Sequence, residues 1–389
     1  MSVAHRPLLH DIKTEVLIIG AGISGAFLAE SLCRRHRVTV IDRRGIAKGS
    51  TAASTALIAS EIDVPLSKLK RKIGEADAVR AWQRAALAVY EIESQTRLLG
   101  LGRIAALARR DSLYLAGNTL NAEQLEEEAQ ERQAAGLSAI FLDRRSLADR
   151  FGIARSAGLL SFASMAADPV RLASGYLRAA IDHGAQVFAP VEASGIETSR
   201  GSTTVATADG PVITADHVIF CTGYETPTFL RLASGQIVST YAFATRPQPD
   251  RLWPTRCLIW EASDPYLYVR ETADGRVLCG GEDEPVADAE RRDALLAGKM
   301  RTLSRKLGKL VPTVDPSPEY QWAGTFAQTA TGLPMIGEIP RHKGCWVVLG
   351  FGGNGTTYSR IAADLIATAL AGGKDADADL FRLHQRRAP

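Results

Sequence analysis

Glu15-Val16-Leu17-Ile18-Ile19-Gly20-Ala21-Gly22-Ile23-Ser24-Gly25-Ala26 decides how the rest of the chain reads. Its apolar, largely β-branched opening spells a buried strand, and three glycines at G-x-G-x-x-G spacing turn that strand into a helix. Gly20 permits the tight turn, Gly22 lets the backbone approach a pyrophosphate, and Gly25 lets helix and strand pack closely. The helix runs from Ala26 to Arg35, and its free N–H groups offer a partial charge of about +0.5 to phosphate. A second strand, Val38-Thr39-Val40-Ile41-Asp42, ends in an acid placed for ribose hydroxyls. Strand, turn, helix, strand and acid at these offsets predict dinucleotide binding. Arg43 raises the alternative of a 2′-phosphate, which Asp42 opposes.

The 389 residues leave room for two domains, and 46% hydrophobic with 23% charged residues is an ordinary globular composition. No apolar run is long enough to span a bilayer. A net charge of +3 is too small to argue for nucleic acid or an anionic membrane surface. Cys33, Cys221, Cys257, Cys279 and Cys345 are scattered, with no C-x-x-C or Cys/His cluster, so they read as reduced core thiols and no metal site is expected. Met1 to Lys13 lack the apolar run of a signal peptide, so the expected location is the cytoplasm.

Residues 43–55 form a loop of small and hydroxyl side chains, in which Ser50, Thr51, Ala53, Ser54 and Thr55 can cradle a flat ligand. A helix over 75–99 shows Val79, Trp82, Ala86, Val89, Tyr90 and Ile92 at three- and four-residue steps. The Glu-rich helix over 121–135 reads as a solvated face and ends at Gly136. Asp168-Pro169 opens a helix over 170–183, followed by strands at 186–188, 203–207 and 212–220. The last runs into Cys221-Thr222-Gly223-Tyr224, a second glycine turn. Strands at 237–244 and 257–261 precede a hairpin, Pro265–Arg270 and Arg276–Gly281, joined by Asp274-Gly275. With the helix over 287–307, residues 226–320 read as an antiparallel, substrate-facing unit. Finally, Trp346–Leu349 enters Gly350-Phe351-Gly352-Gly353-Asn354-Gly355-Thr356 and a helix to about Leu370. Such a loop can aim N–H groups and a helix dipole at developing negative charge.

Taken together, GAGISGAFLAESL with VTVID, GSTAASTALIASEID, DPVRLASGYLRAAIDHGAQV, CTGYET, PYLYVRETADGRVLCGGED and GLPMIGEIP before GFGGNGTTYSRIAADLIA resemble the FAD-dependent amino-acid and amine oxidoreductases of the D-amino-acid oxidase, glycine oxidase and sarcosine oxidase group. The resemblance covers nearly the whole chain. It implies an α/β protein: a doubly wound, Rossmann-like FAD-binding domain (11–75, 155–225 and 321–374) with an inserted antiparallel-sheet α+β substrate domain (76–154 and 226–320). Residues 1–10 and 375–389 would be tails. It also implies one non-covalent FAD. Gly20, Gly22, Ile23, Ser24 and Gly25 would meet the pyrophosphate, with Asp42 and Arg43 at the adenosine ribose. Ser50 to Thr55 would run along the diphosphate and flavin, Val191 would approach the adenine, and Thr222 and Gly223 would close over the nucleotide. Gly352, Gly353, Asn354, Gly355 and Thr356 would lie at the N1/O2 edge of the flavin.

In that group a neutral amine loses hydride from its α-carbon to flavin N5, and the imine hydrolyses to a carbonyl compound. No protein nucleophile is needed, in keeping with a sequence that shows no Ser/His/Asp or Cys/His constellation. The resemblance implies a small amine or amino acid as substrate and O2 or another electron acceptor. Arg270 shares a strand face with Tyr266 and Tyr268, and its planar fork suits a substrate carboxylate. Tyr266, Tyr268 and Trp322 would be lid or wall residues. The chain departs from the group in three ways: no Cys shortly before Gly332-Leu333-Pro334, Thr331 where many members have Asp, and no Lys on Val277-Leu278-Cys279. The last leaves oxidase and dehydrogenase both open. The rival readings are a flavin dehydrogenase acting on a 2-hydroxy acid and a flavin-binding subunit of a larger complex.

Overall fold

In the computed structural model, which describes residues 3–199, 201–230 and 235–383, strand β1 (Ile12–Ile19) is the spine of the first sheet. Val16 and Ile18 enter a core cluster with Phe27 and Leu28 of helix α1 (Ile23–Leu32). Leu17 and Ile19 enter another with Phe220 and Val347. The continuous apolar run therefore follows from cover on both faces, as for a central parallel strand. Each fully buried Val, Leu or Ile contributes about 1.5–3 kcal/mol. Strand β2 (Val38–Ile41) pairs with one edge of β1 and Val212–Phe220 with the other, both in parallel. Gln186–Phe188 extends the parallel set beyond β2, and Cys345–Leu349 extends it beyond Val212–Phe220. Met335–Glu338 and the hairpin Ala193–Ser199/Ser202–Thr207 add antiparallel strands, making eight.

Helix α1 packs between the helices Pro169–Asp182 and Gly355–Leu370. Phe27 meets Tyr176 edge to face with ring centroids 4.6 Å apart. Close approach to β1 depends on Gly25, where a Cβ would lie 1.9 Å from the carbonyl oxygen of Gly20. The Glu75–Leu98 helix buries Ala78, Ala81, Trp82, Ala85, Val89 and Ile92, but Tyr90, expected on that face, is 52% exposed.

A second eight-stranded sheet runs in the order Pro318–Gln328, Gln236–Thr245, Val277–Glu284, Leu267–Glu271, Leu258–Glu261, Ser112–Leu115, Ala157–Ser161, Ile140–Asp143. It is antiparallel except where Leu258–Glu261 meets Ser112–Leu115. The Ala289–Leu310 helix covers one face with Met300, Leu303, Leu307 and Leu310. The strands Ala157–Ser161 and Pro318–Gln328, which the expected boundaries near 155 and 321 give mainly to the first domain, hydrogen-bond in this second sheet. Of the expected C-terminal tail, residues 384–389 lie outside the described residues.

The Glu-rich helix, Ala122–Ala134, is more than a solvated face, because Glu128 and Arg132 are buried. Glu128 accepts hydrogen bonds from the N–H groups of Leu66 and Ser67 at 2.8 and 2.9 Å, at the start of the Leu66–Ile73 helix. It also accepts one from Arg132 Nε at 2.8 Å. These donors replace water around a carboxylate that burial would otherwise neutralise. All five cysteines are free and buried. Among the described residues, no helix is long and apolar enough to cross a membrane.

Candidate functional site

The carboxyl ends of β1, β2, Val212–Phe220 and Cys345–Leu349 open into one cavity of about 670 Å³. A crevice beyond the strand ends is where doubly wound sheets hold ligands. Gly20, Gly22, Ile23 and Ser24 line it, as do Asp42, Arg43 and Val191. Gly20 has φ +117°, and a Cβ there would lie 2.3 Å from the carbonyl oxygen of Cys221, so the turn admits only glycine. Gly25 does not line the cavity; it serves the helix–strand contact. Asp42 organises the turn: Oδ2 accepts from the N–H of Ala21 at 2.8 Å, and Oδ1 accepts from Arg44 and Gly45 at 2.7 and 2.8 Å. Arg43 and Arg44 reach across to Glu225 just after the second glycine turn, and Arg43 also pairs with Glu192. Thr222 and Gly223 of that turn line the cavity too.

The small-residue loop contributes Ser50, Thr51, Ala53, Ser54 and Thr55 to the lining. Residues Ser50–Ala53 form a short helical turn, and Thr51 Oγ1 accepts from the N–H of Ile23 at 3.0 Å, fixing the loop to the start of α1. Opposite stands the C-terminal glycine loop, where Gly352, Gly353, Asn354, Gly355 and Thr356 all face the same space. Two acids that sequence reasoning missed meet this loop. Asp63 accepts from the N–H of Gly353 at 2.7 Å, and Asn354 Nδ2 donates to the carbonyl of Glu61 at 2.7 Å. Asp63 is exposed to the open cavity, yet the protein atoms packed round its carboxyl raise its pKa to about 6, against the opposing pull of the Gly353 N–H. The signal was present in Ser60-Glu61-Ile62-Asp63, acids in an otherwise apolar stretch.

The second sheet closes the cavity with Tyr266, Tyr268, Trp260 and Thr240. The two tyrosine rings lie 5.9 Å apart. Gly280 makes room beneath Tyr268: a Cβ there would come within 2.3 Å of its hydroxyl. Trp260 stacks on Tyr114 at 3.8 Å and donates from Nε1 to Ser112 Oγ at 3.1 Å. Arg270 departs from expectation. It is buried and does not line the cavity, because its guanidinium donates to three backbone carbonyls, those of Thr55, Glu271 (2.8 Å) and Ala167 (3.1 Å). Burial pushes its pKa down to about 10. Arg270 ties the small-residue loop to the second sheet and is not presented to a substrate carboxylate. Trp322 is likewise no wall: its Nε1 donates to the carbonyl of Ala53 at 2.9 Å and braces the same loop.

With this geometry in view, comparison with known proteins is decisive. The profile of FAD dependent oxidoreductases matches residues 15–369. The chain belongs to that family. It is similar to the probable oxidoreductase OrdL of Rhizobium meliloti (strain 1021), with 24% identity over 95% of this chain and 86% of that one. It is similar to the glycine oxidase of Geobacillus kaustophilus (strain HTA426), with 23% identity over 91% of this chain and 92% of that one. Among solved structures, L-proline dehydrogenase from P. horikoshii superposes with a TM-score of 0.80 at 18% identity, covering 96% of this chain and 98% of that one.

The cavity of this FAD dependent oxidoreductase suits the cofactor its family implies. The Thr222 and Thr226 hydroxyls line it, buried and without a protein partner, which leaves polar groups for a ligand to satisfy. The glycine turns leave open space where side chains would stand. Among the described residues, no group of His, Cys, Asp and Glu is arranged to hold a metal ion.

Proposed function

We propose that this FAD dependent oxidoreductase oxidises the C–N bond of a small amine or amino acid, using a non-covalently held FAD. The observation that carries this reading is one continuous cavity that joins the two glycine turns and the C-terminal glycine loop to Tyr266 and Tyr268. Gly20, Gly22, Ile23 and Ser24 would hold the pyrophosphate, Asp42 the ribose and Val191 the adenine. Ser50 to Thr55 and Thr222-Gly223 would flank the middle of the cofactor, and Gly352 to Thr356 its pyrimidine edge. The bound flavin would supply the two-electron acceptor that turns the amine into an imine, which water hydrolyses to a carbonyl compound and an amine or ammonia. O2 or another acceptor would then take the electrons.

The protein's part is placement and electrostatics. Tyr266 and Tyr268 would wall the reacting carbon, held by the strand pair on which Gly280 leaves room for the ring of Tyr268. The helix Gly355–Leu370 begins at the cavity wall, where its N-terminal dipole would stabilise negative charge on a bound, reduced flavin. The test is anaerobic addition of single amines and amino acids to the FAD-loaded protein, followed by visible absorbance. Bleaching of the flavin band by an amine or amino acid supports the reading; bleaching only by 2-hydroxy acids would move it to the C–O bond.

A further inference from the structure

The cavity is charged unevenly. Among the described residues its only lining cations, Arg43 and Arg44, lie beside Asp42 and are engaged by Glu192 and Glu225. Besides Asp42, Glu192 and Glu225, the lining acids are Glu61 and Asp63, and the charge of Asp63 acts on Tyr266. A third acid, Asp283, is half-buried behind the lining: both its carboxylate oxygens are shut from solvent without a hydrogen-bond partner, near Tyr266, Thr240 and Asp63. Of the cations nearby among the described residues, Arg292 pairs with Asp293 and donates to Oγ1 of the lining Thr325 at 3.2 Å, and three others are held elsewhere. Lys299 pairs with Glu282 and Glu284. Arg132 serves Glu128 and, at 3.8 Å, Glu61, while Arg270 is spent on backbone carbonyls. Among the described residues, none of these three lines the cavity.

We infer that this site takes an amine that carries no carboxylate on the reacting carbon, with Asp63 in the lining and Asp283 behind Tyr266 supplying the matching negative field. The inference rests on the amine-oxidising reading above and narrows it. As the α-carbon gives up its hydrogen with the bonding electron pair, the nitrogen lone pair closes the C=N bond and the nitrogen becomes positive. Acids already in place stabilise that charge without reorganisation. The faces of Tyr266, Tyr268 and Trp260 attract the same charge. A carboxylate on that carbon would instead enter an acidic end where no described residue offers a free lining cation to receive it.

The test compares pairs that differ only by the carboxylate: methylamine with glycine, butylamine with norvaline, and putrescine with ornithine, both enantiomers where they exist. The FAD-loaded protein is expected to show kcat/KM at least about 100-fold higher for the amine of its best pair, about 2.7 kcal/mol. Binding is read separately with probes that cannot be oxidised to an imine. Tetramethylammonium should shift the flavin absorption in a saturable way and acetate should not, and Asp283→Asn should weaken tetramethylammonium at least tenfold. Faster reduction by the amino acids, tighter binding of acetate, or no binding of tetramethylammonium would overturn the inference. If neither member of any pair reduces the flavin, the C–N reading fails, while the two probes still decide the charge preference.

Discussion

The carboxylate of Asp63 accepts a hydrogen bond from the backbone N–H of Gly353 at 2.7 Å, so an acid from the first half of the chain meets the glycine loop that opens the last long helix. Gly352 has φ +54°, and a Cβ there would lie 2.2 Å from Asp63 Oδ2, which makes glycine at that position a condition of the contact.

This contact carries a pH signature in the apoprotein. The protein atoms packed round Asp63 raise its pKa from 3.8 to about 6, so the folded state holds the proton more tightly than the unfolded one. The cost of ionising it is absent below the unfolded pKa and complete above the folded one. Asp63→Asn should therefore stabilise the apoprotein at pH 8, by less than the shift alone implies because water reaches the carboxylate through the open cavity, with the gain vanishing toward pH 4. Thermal unfolding at both pH values checks this; an equal effect at each would contradict it.

The two glycines of the first turn should separate folding from binding. Gly25→Ala drives a Cβ to 1.9 Å from the Gly20 carbonyl oxygen, whereas at Gly22 the nearest atom would be Thr51 Oγ1 at 3.0 Å. Gly25→Ala is expected to cost at least about 2 kcal/mol of stability. Gly22→Ala should leave the melting temperature within a few degrees while weakening FAD, because the added methyl narrows the space above the backbone. Titration of FAD fluorescence alongside melting curves would separate the two effects.

Arg270 should behave as a brace. Arg270→Ala leaves the Thr55, Ala167 and Glu271 carbonyls without their donor and is expected to cost about 2–4 kcal/mol. Urea unfolding measures that loss. The preference between an amine and its matched amino acid should stay unchanged. A variant of normal stability that lost only carboxylate-bearing substrates would restore Arg270 as a substrate anchor.

Glu128 should prove costly to remove. Burial opposes its charge, but the Arg132 guanidinium and the bonds from Ser67 hold its carboxyl below the usual range. With a lowered folded pKa, its stabilisation is present above the unfolded value and lost as pH falls through the folded one. Glu128→Gln should cost about 3–5 kcal/mol near pH 7, leaving Arg132 buried with less compensation, and the gap to the natural protein should narrow in acid. Denaturant curves at pH 7 and pH 4.5 provide the comparison.

The glycine-turn half of the cavity was legible in the sequence because its determinants are backbone-level: a turn such as Gly20 to Gly25 needs glycines at fixed offsets, and strands covered on both faces need unbroken apolar runs. Tyr266 and Tyr268 were legible from strand alternation, and both line the cavity. Arg270 shares their strand, yet alternation fixes only the side from which a residue departs. The carbonyls of Thr55 and Ala167, contributed from other parts of the chain, decided where its guanidinium went. Glu61, Asp63 and Asp283 escaped notice for a related reason. Their meaning lies in how the described cations around them are engaged, a property of the assembled cavity. Glu128 and Arg132 looked solvent-facing because a charged helix is ordinarily exposed, and only the Leu66–Ile73 helix end explains their burial.

The most direct test of the account is the visible spectrum of the purified protein loaded with FAD, before and after anaerobic addition of an amine. The expected result is a flavin band retained through native washing, released by denaturation, and bleached by the amine. A protein that takes up no FAD, or a bound flavin that no amine or amino acid bleaches, would contradict it.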